Sequence, residues 1–328
     1  MPAICIATIV HGSRLFGTDD ESSDVDLKSV WLPSGRDILL GRLDWSVFNS
    51  DSSRRNSSGD TDHERHDLAR FLKLVAAGNP TAVEMLFAPN ESFVSEPHEI
   101  WHKACALAPY IITSDTSRFM GFLEQQAPGF GIGGERLDAV RRALGVLDAA
   151  TALRPRMTVG DVAGDVVEAA ASRHVRLDTR EDGSRLLMLA GRSMPFENKA
   201  SAAQKMARGF IASFEARADR LAAGDRRAWK AVAHAIRIAE EALELLTTGR
   251  ITLPRPNADY LLGIGRGEID VREVATWIDR LPVVVREAQA SSVLQDKPDL
   301  LAIDEMLVES HARQVSTDFV GDPRLMLS

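Results

Sequence analysis

The chain of 328 residues has little cysteine, little tyrosine and no long apolar run. Cys5 and Cys105 are too few and too isolated for a disulfide framework or a cysteine-based structural zinc site, and they suit a reducing compartment. No apolar stretch approaches the ~20 residues that cross a bilayer. The opening MPAICIATIVHGS carries neither a basic leader nor a cleavage site. The expectation is a soluble cytoplasmic protein with no membrane partner. A composition 45% hydrophobic and 26% charged is that of a globular chain, long enough for two domains. With 47 acidic against 39 basic side chains the net charge is −8, which excludes a surface coated throughout for nucleic acid but leaves room for a local basic groove.

What is present changes character near the first third. Residues 1–67 hold the strand signals: Ile4 to Val10 is a β-branched run ending in His11-Gly12-Ser13, Val25 to Leu32 alternates as Val25, Leu27, Ser29, Trp31, and Leu43 to Phe48 is a third candidate. NSDSSRRNSSGDTD, from Asn49 to Asp62, is too polar to bury and reads as a loop. From Asp67 on, apolar residues fall at helical spacing in 67–77, 80–87, 97–107, 115–126, 134–152, 158–173, 199–222, 225–247, 257–264, 270–290 and 299–315. Val175–Asp178 and Arg185–Ala190 flank Glu181-Asp182-Gly183-Ser184 as one late hairpin. The expected fold is α+β: a small mixed-sheet domain over 1–108, then a larger, mostly helical domain over 109–328 with one small hairpin.

Chemistry concentrates in HGSRLFGTDDESSDVDLKSVWLP. An apolar strand runs into Gly12-Ser13, and Asp24-Val25-Asp26 leads into the next strand. Alternate side chains on a strand share a face, so Asp24 and Asp26 stand side by side, with Val25 and Leu27 expected to face the core. Two carboxylates so placed repel each other unless a hard cation lies between them, and Mg²⁺ is commonly held by one or two carboxylates plus substrate phosphates. Gly12 lets the backbone approach a phosphate closely, and Ser13 offers a hydroxyl and an N–H. The plain alternative is a Gly-Ser turn followed by solvated acids, since Asp19, Asp20 and Glu21 add to the same loop.

This pattern resembles the signature of the DNA polymerase β superfamily of nucleotidyltransferases, and GSRLFG with SSDVDLKSVWLP is more closely similar to its RlaP/YcgL-type branch, named for association with RNA repair. DHERHDLARFLKLVAAGNPTAVEMLFAP, RFMGFLEQQAPGFGIGGERLDAVRRAL and HAIRIAEEALELLTTGRITLPRPNADYLLGIGRGEI resemble later segments of that branch, in order. The resemblance implies an enzyme that transfers an NMP from an NTP, ATP foremost, to a hydroxyl acceptor, plausibly an RNA end. It also implies that Gly12 and Ser13 hold the triphosphate while Asp24 and Asp26 coordinate two Mg²⁺ (or Mn²⁺) ions. A third carboxylate is implied within Asp60–Glu64; Asp62 is preferred, Glu64 comes next, and Asp67 is expected instead to cap the following helix. Arg14 is a candidate for the γ-phosphate, and Lys28 shares the strand face of Asp24 and Asp26. The chain departs from the branch at Phe16, where Tyr is common, and at the uncharged Gly129-Phe130-Gly131, where a basic residue is usual.

A second constellation, His98-Glu99-Ile100-Trp101-His102, completes H-E-x-x-H and raises the alternative of a zinc metallopeptidase. Pro97 places His98 at a helix start rather than within a helix, and no third-ligand pattern follows except Glu124. A further alternative is a nucleotide-binding regulatory protein without turnover. Gly129, Gly131, Gly133 and Gly134 read as a hinge, Gly263, Gly265 and Gly267 as a helix terminus and turn, and His234 as a core histidine of an apolar helix. Between Lys199 and Arg237 nine Lys/Arg face three Asp/Glu, a net of +6 that leaves −14 for the remainder. That segment is the expected contact for an RNA acceptor, by phosphate attraction rather than by base stacking.

Overall fold

A computed structural model describes residues 3–21, 23–50, 61–126, 135–180 and 182–319. In chain order the first elements are β1 (Ile4–His11), α1 (Gly12–Phe16), β2 (Val25–Leu32), α2 (Gly35–Leu39), β3 (Ser46–Ser50), β4 (Thr61–Asp67), α3 (Leu68–Ala76), α4 (Pro80–Leu86), α5 (Glu99–Ile111) and α6 (Ser117–Gln126). There follow α7 (Glu135–Leu153), α8 (Val159–Ala170), β5 (Val175–Thr179), β6 (Arg185–Leu189), β7 (Arg192–Pro195), α9 (Ala200–Ala222), α10 (Arg226–Thr248), α11 (Ala258–Arg266), α12 (Val271–Ala290) and α13 (Leu300–Phe319). A mixed N-terminal sheet followed by a mostly helical region is the expected α+β class. Among the described residues no helix is long and apolar enough to cross a membrane.

The chain divides into two compact units that interleave in sequence, where the sequence reading drew a single boundary at 108. The first comprises 1–121, 237–262 and 282–328; the second comprises 122–236 and 263–281.

The first unit is built on a sheet of order β1-β2-β4-β3, with β2 and β4 parallel and the other pairs antiparallel. Ala7 pairs with Val30 and Ile9 with Lys28, so Ala7, Ile9, Val30 and Leu32 share one face, and all four are buried. Val25, Leu27 and Trp31 lie on the opposite face and are only half-buried, which reverses the expected orientation of β2. The carboxylate Asp26 is on the core side of the strand, beyond the end of its apolar stretch. Phe71, Leu72, Val83, Met85, Trp101 and Ile111 from α3, α4 and α5 complete this core. Asp67, fully buried, caps α3 by accepting from Ala69 N and Arg70 N at 2.9 and 3.1 Å, as expected of it.

The second unit packs α7, α8 and α9 with the sheet β5-β6-β7 around Val140, Leu147, Val162, Val166, Leu187 and Phe210. The late hairpin is thus a three-stranded meander. Arg192-Ser193-Met194-Pro195 carries no apolar alternation and ends in Pro, so its strand character comes from pairing with β6 alone.

Candidate functional site

β1 delivers His11 to the end of the sheet, where the chain turns into α1. Gly12 has φ +65°, and a methyl group added to it would collide with Asp26 Oδ2, so glycine is required twice over, for the backbone angle and for the approach to the carboxylate. Ser13 is half-buried on α1, its carbonyl accepting from Thr18 N at 2.9 Å. Arg14 is exposed, 3.9 Å from Asp19, with a bond to Ser23 O at 3.4 Å.

Asp26 sits between two strands: its Cα partners are His11 on β1 and Asp62 on β4. The parallel pairing therefore brings Asp62, 36 residues away in sequence, directly beside Asp26. Asp24 precedes β2 and is exposed. Burial holds the Asp26 carboxyl above its ordinary range, Lys28 and His11 oppose this, and the neighbouring charges of Asp62 and Asp24 add to it. Lys28 is not a free cation: its Nζ lies 2.5 Å from Glu64 Oε2, and His66 Nε2 is 3.3 Å from Glu64 Oε1. The hydrogen bond from His66 and then those of Lys28 bring the Glu64 carboxyl down to about 2 against the pull of burial. Glu64 is thus already neutralised from within, by Lys28 and His66.

Among the described residues no three His, Cys, Asp or Glu side chains close into a group that could hold a metal ion. The donor set at the sheet end is nonetheless all carboxylate oxygen, the chemistry of a hard divalent cation. Gly12 packs directly against Asp26, whose carboxylate fills the space that a side chain at this position would need.

Directly beneath this turn lies a charged cluster that the sequence reading did not assemble. His11 Nε2 is 3.2 Å from Glu84 Oε2, and Arg237 NH1 is 2.8 Å from Glu84 Oε1 and 2.7 Å from Glu241 Oε1. All four residues are at most 5% exposed. The Arg237 guanidinium stacks 3.4 Å from the centre of the Phe16 ring, and the His11 ring meets Phe16 edge-on at 5.5 Å. Burial opposes the charge on Glu84, but Arg237 and His11 overcome it and hold that carboxyl well below its usual range. Burial and the Glu84 charge push Glu241 well above its own, against the attraction of Arg237. The cluster is thus one buried arginine shared by two glutamates, of which Glu84 holds its charge the more readily. One signal for it was available in sequence: Arg237 and Glu241 stand four apart on a stripe otherwise made of Ile236, Ala239, Ala242 and Leu245, which a solvated helix would not bury.

Arg237 therefore leaves the basic segment that the sequence reading assigned to RNA. Lys199, Lys205, Arg208, Arg220, Arg226, Arg227 and Lys230 are exposed; the Arg217 side chain lies outside the described residues. His234 is exposed on α10 rather than buried in its apolar stripe, because it falls on the same side as Arg226, Arg227 and Lys230. Gly129, Gly131, Gly133 and Gly134 lie outside the described residues. Gly263 and Gly265 fall inside α11, and Gly267, at φ +75°, follows its end.

The H-E-x-x-H segment does not form a ligand face. His98 is the N-cap of α5, with extended backbone and its Nδ1 accepting from Ile100 N at 3.3 Å, so His98 and His102 do not share a helix. Glu99 is paired with Arg313 at 2.5 Å. The Glu124 side chain lies outside the described residues.

Residues 4–164 match the family described as RlaP, RNA repair pathway DNA polymerase beta family, and the branch-level resemblance read from the motifs is thereby borne out. The chain is also 27% identical over 317 residues to an uncharacterized 38.9 kDa protein of Enterobacteria phage T4, encoded in the nrdC-mobD intergenic region, covering 90% of this chain and 94% of that protein. No solved structure matches.

Proposed function

With residues 4–164 matching a polymerase β-type, RNA-repair family, we propose that this protein is a metal-dependent nucleotidyltransferase that moves an NMP from an NTP, ATP foremost, to a hydroxyl at an RNA end. The observation that carries the reading is the parallel register of Asp26 with Asp62, with side-chain-free Gly12 packed against Asp26. In this reading Asp24, Asp26 and Asp62 are the catalytic and metal-holding carboxylates. Asp62 is favoured over Glu64 because Glu64 is already occupied by Lys28 and His66.

Mg²⁺ or Mn²⁺ held by these carboxylates would supply Lewis acidity to the acceptor hydroxyl and charge neutralisation to the departing pyrophosphate. Gly12 admits the triphosphate close to the backbone, Ser13 donates its hydroxyl and N–H, and exposed Arg14 reaches the γ-phosphate. Its weak, solvent-screened pairing with Asp19 is cheaply given up. Lys28 contributes positive charge beside the carboxylates through its pair with Glu64, rather than as a free phosphate ligand. The acceptor oxygen forms a bond to the α-phosphorus, the bond to the β-phosphate oxygen breaks, and the acceptor proton leaves toward Asp62. The exposed cations of 199–230 supply the phosphate attraction that would retain an RNA acceptor.

The test is incubation with each α-labelled NTP, Mg²⁺ or Mn²⁺ and total RNA, comparing the natural protein with Asp24→Ala. Label should enter RNA and fall by roughly a thousandfold or more in the variant, a loss of ~4 kcal/mol of transition-state stabilisation. Equal transfer by both proteins would sink the reading. Retained NTP binding with no transfer to any hydroxyl would replace it with a regulatory nucleotide-binding role.

A further inference from the structure

The α1 turn does not hold itself. It has five residues, no side-chain cap at its N-terminus, and glycines in the left-handed region at both edges, Gly12 at φ +65° and Gly17 at φ +71°. One turn of helix is unstable alone because it fixes several dihedrals for a single hydrogen bond. Its conformation is set from outside, and both of its ends are tied to the same buried pair. At the entrance, His11 meets Glu84 at 3.2 Å; at the exit, the Phe16 ring lies on the Arg237 guanidinium at 3.4 Å. Glu84 and Arg237 join each other at 2.8 Å, which closes a loop of contacts beneath Gly12, Ser13 and Arg14. The segment that supplies Arg237 adds two more ties: Arg255 N donates to Phe16 O at 3.0 Å, and Pro254 lies against Gly17 so closely that a methyl there would approach it to 3.0 Å.

We propose that Arg237 is the positioning residue of the nucleotide turn: by stacking on Phe16 while bound to Glu84 and Glu241, it presets the Gly12–Phe16 geometry that receives the triphosphate and thereby sets NTP affinity. The inference rests on the nucleotidyltransferase reading and adds to it a residue outside the 4–164 family match. Arg237 touches neither substrate nor the reacting atoms, so its effect belongs in nucleotide binding more than in the chemical step. A turn that must be ordered at each binding event costs affinity that a preset turn does not. Lysine cannot substitute, since an ammonium lacks the planar face that lies on Phe16.

The experiment compares the full-length natural protein with Arg237→Lys and with Phe16→Leu, which removes the stacked ring but leaves every charge in place. Backbone amide exchange is followed over 12–17 without nucleotide, and KM and kcat are followed for transfer from ATP. Both variants should speed exchange in the 12–17 segment at least about tenfold and raise KM for ATP by about tenfold or more, with kcat at saturation within about threefold. Phe16→Leu keeps the inference open to refutation even if Arg237→Lys fails to fold. Unchanged exchange at 12–17 and unchanged KM in Phe16→Leu would overturn the positioning role while leaving nucleotidyl transfer standing. A fall in kcat with KM unchanged would overturn it as well. If the natural protein binds no NTP, the functional reading fails and the proposed control of affinity fails with it, although the exchange result would still report whether Arg237 orders the turn.

Discussion

Two sets of acidic side chains meet at Gly12, and they solve the same electrostatic problem in opposite ways. Above it, Asp26 and Asp62 stand side by side in register at a partly exposed sheet end, with Asp24 preceding the strand and Lys28 paired to Glu64. Below it, Glu84 and Glu241 are fully buried and share an internal cation, Arg237. A carboxylate set with an internal cation can be locked away in the core; the other set lies nearer solvent. The two sets differ in how their charge is met, although both are made of Asp and Glu.

The largest way to break the comparison is to take the cation from the lower set. Arg237→Met leaves Glu84 buried and uncompensated, and thermal or urea unfolding should show a loss of about 3–5 kcal/mol. The upper set should respond in the other direction. Asp26→Asn removes one of the crowded carboxylates, so in the absence of divalent cations its melting temperature at neutral pH should rise, by about 1–3 °C, while transfer activity disappears. A lower melting temperature in chelator would show that Asp26 is held by internal partners after all. The smallest effect is reserved for Glu241→Gln. If Glu241 is the neutral member of the lower set, the amide preserves its shape and charge, and unfolding should shift by no more than about 0.5 kcal/mol. A loss comparable to that of Arg237→Met would mean that Glu241 is ionised and that Arg237 is shared between two charges.

How far the sequence reveals this depends on whether the information is local. β1, β2 and the spacing from Gly12-Ser13 to Asp24-Val25-Asp26 are legible because each strand carries its own apolar run, and the helices from α3 to α13 appear within a few residues of their sequence spans because their apolar stripes repeat. β4 is different. Thr-Asp-His-Glu-Arg-His-Asp holds no apolar residue, so its strand character is dictated by parallel pairing with β2 and by β3 on its other edge. The facing of β2 misleads for a related reason: Val25, Leu27 and Trp31 look like the core set, yet the helices cover Val30 and Leu32, on the face that also bears Asp26. The Glu84–Arg237 pair spans 153 residues, and no local pattern says that those two charges meet.

The interleaving of the first unit has a bearing on how the protein is made. During synthesis the strands, α1 and Glu84 emerge first, and the residues that complete their surroundings follow only after the second unit's main stretch, 122–236, has been translated. Until then Glu84 has no arginine, His11 and Phe16 have no floor, and the Gly12 turn lacks its outer supports. A nascent or truncated chain ending before Arg237 would contain every carboxylate assigned to chemistry and still lack the means to shape the nucleotide turn. In the proposed reading, the order of the chain thus delays the shaping of this turn until Arg237 and the residues after it have followed.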